Sequence, residues 1–233
     1  MLKIFILFIP LILWNCQNNH FGQWSNNHNW FPQIVPSIND NVMILNNTNC
    51  LPWIDNNVTI NNLYLYNIGG IVIDVTTMTI NNLYLTGSIS MWNSSLVING
   101  KFIGNNYAII MNGIIIVNEM EINNNSYIEI IGNSTLETVL TNRGLMMINR
   151  GNMLHVNELI NYGNIYMELP GSSISSYQFF MNGSLTLDIK KPFKQKIIEF
   201  DKFDNVIMNI FVVQPDMEVR VIIGDRWIEV YTI

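Results

Sequence analysis

Charged residues are scarce in this chain. Lys, Arg, Asp and Glu make up 12% of the 233 residues, whereas a soluble domain usually carries about 25%. The formal net charge of −6 provides no basic surface for nucleic acid, so DNA and RNA are not expected as partners. The hydrophobic fraction of 49% is high enough to build a buried core, which argues against a disordered chain.

Cysteine is almost absent. Only Cys16 and Cys50 occur, so a disulfide framework cannot be the main support of the fold. If Cys16 is removed with an N-terminal signal, Cys50 is left unpaired. We then expect Cys50 to behave as a small buried apolar residue.

Long apolar runs are missing as well. Beyond the N-terminus no segment reaches 18 apolar residues, so no transmembrane span is predicted. At the N-terminus, Lys3 precedes a short apolar run from Ile4 to Trp14, which is typical of a secretory signal. We predict a signal peptide at residues 1–17 and a secreted or cell-surface protein. The alternative is that the apolar run is the first strand of a buried core.

The chain repeats itself at an interval of about 20 residues. The sequence Thr-Ile-Asn-Asn-Leu-Tyr-Leu occupies residues 59–65 and recurs at residues 79–85. A weaker pair, Val-Asn-Glu-Met at 117–120 and Val-Asn-Glu-Leu at 156–159, is separated by close to two such intervals. Periods of this length are typical of solenoids.

Each repeat has the alternating pattern of short strands. Val58, Ile60, Leu63 and Leu65 are predicted to face a core, with Tyr64 outside and the Asn pair between the two runs forming a bend. We therefore predict an all-β fold, a right-handed single-stranded parallel β-helix with N- and C-terminal caps. An antiparallel sandwich or barrel is the alternative, because short strands separated by turns also build those folds.

Stacking of coils makes a specific prediction about equivalent residues. Successive coils rise by about 4.8 Å, so matching positions lie directly above one another. Asn62 and Asn82 are then expected to form an amide ladder, and Tyr64 and Tyr84 an external aromatic stack.

The two ends of the repeat region differ from the coils. Open solenoid ends would pair with other chains and therefore need caps. We assign residues 18–41, which are rich in Trp and Pro, to an N-terminal cap, and residues 190–233, which hold most of the Lys and Arg, to a C-terminal β-cap. The intervening residues 42–189 are assigned to about seven coils of ~20 residues each.

Some of these residues resemble a known type of module. The segment from Trp24 to Ile44, with a Trp-rich turn, a Pro and an Asp-Asn-Val-Met-Ile strand, resembles the start of many surface β-helix modules. The Asn-x-Gly triplets at 142–144, 149–151 and 161–163 are similar to turns of bacterial and protist adhesin and passenger-domain β-helices. The resemblance implies an extracellular module, including ectodomain modules of protist receptor-like proteins. It does not imply an enzyme.

Asn-x-Ser/Thr sequons are frequent. In a secreted eukaryotic protein they are acceptors for N-linked glycans. Chance is the alternative explanation in a chain so rich in Asn, Ser and Thr. The candidate glycosylation sites are Asn46, Asn57, Asn93, Asn124, Asn133 and Asn182.

Repeated aromatic residues suggest a binding surface. Tyr64 and Tyr84 are expected on the outside of neighbouring coils, where aromatic rings can stack on the apolar faces of sugars. These two residues are the candidate glycan-stacking face. The alternative is that the rings only pack against each other between coils.

Catalytic patterns are weak. Carbohydrate-active β-helices need clustered carboxylates, and the best candidate is Glu119 and Glu121 with Glu129 or Glu137 one coil away. The alternative is that these are outward charges that keep the rod soluble. No phosphate-binding loop, nucleophile elbow or Cys/His motif is present, so no cofactor or metal is predicted.

These observations favour a function without catalysis. We predict an extracellular or cell-surface structural or adhesive module whose partner is a carbohydrate or another surface protein. Two alternatives stay open. One is a carbohydrate-active β-helix enzyme of the polysaccharide lyase or glycosidase type, and the other is the ectodomain fragment of a receptor-like membrane protein.

Overall fold

The computed structural model describes residues 11–16, 21–45, 50–66, 70–213 and 218–232. About 70% of the chain is strand, wound into a parallel β-solenoid of about 8 turns, which confirms the predicted fold class. A single 3-10 turn spans Asn27–Asn29 within these ranges. The strands are β1 Leu11–Trp14, β2 Phe21–Gln23, β3 Trp30–Phe31, β4 Asn41–Ile44, β5 Leu51–Ile54, β6 Val58–Leu65, β7 Gly70–Asp74, β8 Thr77–Leu85, β9 Ser88–Ile98, β10 Phe102–Gly104, β11 Ala108–Ile122, β12 Tyr127–Ile130, β13 Ser134–Asn142, β14 Leu145–Ile148, β15 Met153–Asn161, β16 Asn164–Leu169, β17 Ser173–Ile189, β18 Lys194–Val213, β19 Val219–Ile223 and β20 Trp227–Thr232.

Strand segments of successive turns stack into three sides, which we call ladders A, B and C. Ladder A contains residues 58–60, 77–80, 95–98, 114–117, 134–137, 153–156, 173–176 and 198–200. Ladder B contains residues 41–44, 62–65, 82–85, 102–104, 119–122, 139–142, 158–161 and 178–181. Ladder C contains residues 51–54, 70–74, 88–92, 108–111, 127–130, 145–148, 164–169, 184–189 and 209–213. Each corner is named for the two ladders that it joins in chain order.

The two copies of the repeated heptapeptide are parallel neighbours in register. Thr59 pairs with Thr79, and Tyr64 pairs with Tyr84. This pairing excludes the antiparallel alternative for these segments. The core follows the predicted alternation, because the inward residues of the repeat, such as Leu63, are fully buried.

The predicted amide ladder is present at the A-to-B corner. Asn82 Nδ2 donates to Asn62 Oδ1 at 2.7 Å, and Asn62 Nδ2 donates to Asn41 Oδ1 at 2.5 Å. Each side-chain amide therefore forms a hydrogen bond with the amide one coil away. This arrangement explains why Asn recurs where the chain must turn with its polar groups partly buried.

A second amide ladder lies inside the solenoid at the B-to-C corner. Asn142 and Asn161 are fully buried, and Asn142 Nδ2 donates to Asn161 Oδ1 at 2.6 Å. Asn161 Nδ2 also donates to the carbonyl of Gly163 at 3.2 Å. The Asn-x-Gly triplets at 142–144 and 161–163 are thus corners whose Asn supplies hydrogen bonds in the interior and whose Gly allows neighbouring coils to approach closely.

Three tryptophans fill the N-terminal end of the core. Trp14, Trp24 and Trp30 are buried. The rings of Trp14 and Trp24 both contact the Trp30 ring edge-to-face, with centroid distances of 4.7 Å and 4.6 Å respectively. Trp14 Nε1 donates to the carbonyl of Cys50 at 2.7 Å. The Trp-rich segment therefore covers the apolar interior of the first coils.

Cys16 and Cys50 form a disulfide bond. An unpaired Cys50 is predicted only for a chain that has lost Cys16, so this bond does not test that prediction, whereas Cys50 is buried as expected. Residues 1–10 and 17 of the predicted signal peptide lie outside the described residues, whereas Leu11–Trp14 pairs in parallel with β4 in the first coil. Cleavage at residue 17 would remove Cys16, so the disulfide belongs to the uncleaved chain. The signal peptide itself stays a prediction.

The C-terminal segment continues the solenoid before it caps it. β18 pairs in parallel with β17 as far as Asp188 and Val213. The antiparallel pair of β19 and β20 follows, and β20 also pairs with the start of β18. No helix in the described ranges has the length and apolar character needed to cross a membrane.

Candidate functional site

A groove of about 910 Å³ lies between ladder A and the C-terminal hairpin. We call it the hairpin groove. One wall consists of outward side chains of β15, β17 and β18, and the other is the hairpin turn at residues 224–227. The groove exists because β20 pairs antiparallel with the first part of β18, which places the hairpin turn next to Glu199 and Phe200.

The ladder wall is one column of stacked side chains. Thr135, His155, Ser175 and Glu199 are successive partners in ladder A. His155 Nδ1 and Ser175 Oγ are 2.8 Å apart, a hydrogen-bond distance. The parallel ladder thus brings together polar residues that are 20 or more positions apart in sequence.

The order of this column does not match a hydrolytic triad. In a triad the base lies between the nucleophile and the acid. Here Ser175 lies between His155 and Glu199, and the column places Thr135 on the other side of His155. The arrangement therefore supports hydrogen bonding to a ligand better than activation of a serine.

Charges of both signs line the groove. Carboxylates come from Glu199, Asp201 and Asp225, and cationic groups from Lys196 and Arg226. Lys196 Nζ is 3.5 Å from Glu199 Oε1, in a pair that is largely exposed. Because the signs nearly balance, the groove suits a polar ligand with little net charge.

Aromatic rings frame the same space. Tyr177 is 53% exposed beside the ladder wall, and Trp227 lies in the hairpin wall with Lys196 Nζ 5.6 Å from its ring centroid. Backbone bonds hold the hairpin wall in place. Phe200 N donates to Arg226 O at 2.9 Å, and Gly224 N donates to Trp227 O at 2.8 Å. A ligand would therefore meet a largely preformed surface, which lowers the entropy cost of binding.

The candidate glycan-stacking pair has the predicted aromatic stack. The Tyr64 and Tyr84 rings are nearly parallel, with centroids 4.6 Å apart, and Tyr66 stacks on Tyr64 at 6.3 Å. Burial, followed by the neighbouring Tyr84 and Tyr66, raises the pKa of Tyr64. Each ring covers one face of the next, so a sugar would find mainly ring edges here. Binding of a glycan at this pair stays a prediction.

The sequon asparagines of the described ranges are exposed. Asn46 lies outside those ranges. Asn57 also accepts a hydrogen bond at 3.0 Å from the backbone N–H of Thr77. The exposed acceptors are Asn57, Asn93, Asn124, Asn133 and Asn182.

The carboxylates singled out by sequence do not converge. Glu119 and Glu121 lie in ladder B, Glu137 in ladder A and Glu129 in ladder C, on three different sides. Glu121 instead pairs with Arg143 Nε at 2.9 Å in an exposed ion pair. The hypothesis that these acids form one cluster is therefore wrong. In the parts of the chain that the structure describes, no group of three or more His, Cys, Asp or Glu residues is placed to hold a metal ion.

One carboxylate on the outer side of ladder C is buried. Asp188 Oδ2 accepts from Tyr166 Oη at 2.7 Å and from Lys190 Nζ at 2.5 Å. Burial alone would raise the pKa of Asp188, but the hydrogen bonds from Lys190 and Tyr166 and the charge of Lys190 lower it. Burial, the hydrogen bond to Asp188 and the charges of Asp188 and Glu168 raise the pKa of Tyr166 to about 12. This cluster stabilises the last coils.

The sequence contained only part of the signal for the groove. His155 and Ser175 are one period apart and could have been matched by the repeat. Glu199 follows Ser175 by more than one period, because the connection before β18 is longer than in the other coils. The pairing of β20 with β18 joins segments that share no repeated sequence pattern.

The chain matches no protein-family model, no curated protein and no solved structure. The chemistry of the hairpin groove is therefore the basis for assigning a function.

Proposed function

We propose that this chain is a non-catalytic extracellular or cell-surface adhesive module that binds a carbohydrate in the hairpin groove. The observation that carries the proposal is the composition of that groove. An exposed Tyr177 ring, carboxylates and a guanidinium face one space of about 910 Å³ on a rigid ladder.

The chemistry of sugars fits this composition. Carboxylates of Glu199 and Asp201 can each accept hydrogen bonds from two neighbouring hydroxyl groups. The guanidinium of Arg226 can donate to ring and hydroxyl oxygens. The exposed Tyr177 ring offers an apolar surface for the C–H face of a pyranose. A neutral oligosaccharide is the ligand class that uses all three features.

Binding to an array of neutral and acidic glycans, followed by calorimetry on any ligand found, tests the proposal. Tyr177→Ala and Asp201→Asn should each weaken binding by about tenfold, equivalent to ~1.4 kcal/mol. Tyr162→Ala is the matched control, because Tyr162 is also exposed but lies at the B-to-C corner. A wild-type protein that binds no glycan would contradict the proposal. Loss of binding in Tyr64→Ala, with no effect of Tyr177→Ala, would move the site to the Tyr64–Tyr84 stack.

A carbohydrate-active enzyme is the second candidate, favoured by one observation. Glu199 and Asp201 lie at alternate positions of β18 and both line the groove. Two carboxylates on one groove are the groups that most glycosidases use for acid/base catalysis. Release of reducing ends from a bound polysaccharide, abolished by Glu199→Gln and by Asp201→Asn, would favour the enzyme. Binding without release favours the adhesive module.

A further inference from the structure

The sequons of the described ranges occupy only part of the solenoid circumference. Asn93 lies in the C-to-A corner, between Trp92 and Ser94, where the register of β9 with β11 shifts by one residue. The sequon asparagines in the described ranges are Asn57, Asn93 and Asn133 at the C-to-A corner, and Asn124 and Asn182 at the B-to-C corner. Both corners border ladder C. The sequons therefore flank one side of the rod.

The A-to-B corner also contains several Asn, but within the described residues it has no sequon. Its asparagines are Asn61, Asn81, Asn99, Asn118 and Asn157. In most cases the residue two positions after the Asn is buried in the core. Examples are Leu83 after Asn81, Met120 after Asn118 and Leu159 after Asn157. A Ser or Thr there would place a hydroxyl in the apolar interior. Only Asn99 is followed at that position by an exposed residue, Lys101.

We propose that N-linked glycans at these two corners shield ladder C and leave the A-to-B corner and the hairpin groove bare. This proposal rests on the proposed function only in requiring passage through a secretory pathway. Asn93 and Asn133 are two coils apart, about 9.6 Å along the rod. Bulky hydrophilic glycans at that spacing would cover the corner between them.

The hairpin groove lies nearer the C-terminal end of the rod than the last sequon of the C-to-A corner. Asn133 precedes Thr135, the partner of His155, so Asn133 lies one coil before His155 and two coils before Ser175. On the other side Asn182 follows Tyr177 by five residues along β17, about 16 Å at the rise of a strand. The glycans would thus orient the module, with the groove on its accessible side.

Secretion from a eukaryotic host, followed by glycopeptide mapping, tests the first half of the proposal. Glycans are expected at Asn93, Asn124 and Asn133. Absence of glycan from all three in a secreted protein would overturn it. No ligand takes part in this experiment, so a failure to bind carbohydrate would leave its outcome unaffected.

Hydroxyl-radical footprinting before and after enzymatic removal of N-glycans tests the second half. Oxidation of Trp92, beside Asn93, and of Tyr162, at the B-to-C corner, should rise about twofold if a glycan covers roughly half of each exposed ring. Oxidation of Tyr177 should not change. An equal rise at Tyr177, or no rise at Trp92 and Tyr162, would overturn the proposal.

Lys101→Thr provides the matched variant, because it creates a sequon at Asn99 on the bare corner. Lys101 N donates to Asn82 Oδ1, so the new glycan would lie one coil from the Tyr64–Tyr84 stack. Tyr84 should become less reactive in this variant and recover after glycan removal. An unchanged Tyr84 in the glycosylated variant would show that corner glycans do not shield a neighbouring ladder, and would overturn the proposal.

Discussion

A methyl group added at Gly163 should push two coils apart. Gly163 lies at the B-to-C corner, and a Cβ built there would be 2.3 Å from Gly144 O and 2.7 Å from the carbonyl carbon of Arg143. Both contacts are with backbone, which cannot swing aside as a side chain can. Gly144, Gly163 and Gly183 stack at this corner in successive coils. A Cβ at Gly183 would likewise be only 2.4 Å from Gly163 O.

The structure allows the cost of Gly163→Ala to be worked out. Ordinary contacts of a Cβ begin at 3.4 Å, so the neighbouring coil must move by about an ångström. Overpacking of this kind costs about 1–3 kcal/mol, and the reduced entropy of the unfolded chain returns about 0.4–1 kcal/mol. We expect a net loss of about 1.3 kcal/mol, which lowers the melting temperature of a domain of this size by roughly 3–5 °C.

Urea and thermal unfolding followed by far-ultraviolet circular dichroism provide the assay. Gly151→Asn is the control, because Gly151 has φ +79 and nothing lies within 4 Å of its Cβ position. Asn tolerates that backbone conformation, so the control should match the wild type within about 0.5 kcal/mol. A Gly163→Ala protein as stable as the wild type would refute the close stacking of these corners.

Three further substitutions test other features of the fold. Val75 is 72% exposed and has φ 53, a strained backbone conformation that Asn tolerates better than Val. Val75→Asn should therefore raise the urea midpoint and increase the free energy of unfolding by about 1 kcal/mol. An equal or lower midpoint would contradict the backbone strain at this residue. Asn161→Ala removes the Asn161 acceptor of the buried Asn142 Nδ2, which should lower the free energy of unfolding by about 1–3 kcal/mol in the same assay. A variant as stable as the wild type would contradict the interior amide ladder. The pKa of Asp188 is lowered on folding from 3.8, so its stabilising contribution is present above that pH and is lost as the pH falls through the folded pKa. Asp188→Asn should therefore be less stable than the wild type at pH 7, with the difference shrinking in acid; a constant difference would contradict this assignment.

The repeat made the wound ladder predictable. Residues 59–65 and 79–85 carry both the inward pattern and the Asn pair, so their register, the Asn62–Asn82 ladder and the Tyr64–Tyr84 stack could be predicted from the residues alone. Local alternation and stacking point to the same answer at these positions, which is why sequence reasoning succeeds there.

The contacts between distant segments were not predictable in the same way. The Cys16–Cys50 bond closes the first coil through a segment that also resembles a signal, and composition cannot separate those two roles. The hairpin groove depends on β20 turning back along β18, which follows from no repeated pattern. Glu119 and Glu137 are close to one period apart in sequence, but the corner between ladders A and B sends them to different sides.

Cross-linking of paired cysteines tests the wound ladder most directly, because the groove and the corners all depend on its register. Thr59 and Thr79 are outward partners one coil apart, at about 4.8 Å, within the ~4.4–6.8 Å range of Cα separations in disulfides. Val97 is the partner of Thr79 in the next coil, about 9.6 Å from Thr59. Thr59→Cys with Thr79→Cys should form a bond on mild oxidation, detected by peptide mapping, and Thr59→Cys with Val97→Cys should not. Equal yields for the two pairs, or none for the first, would contradict the stacked register.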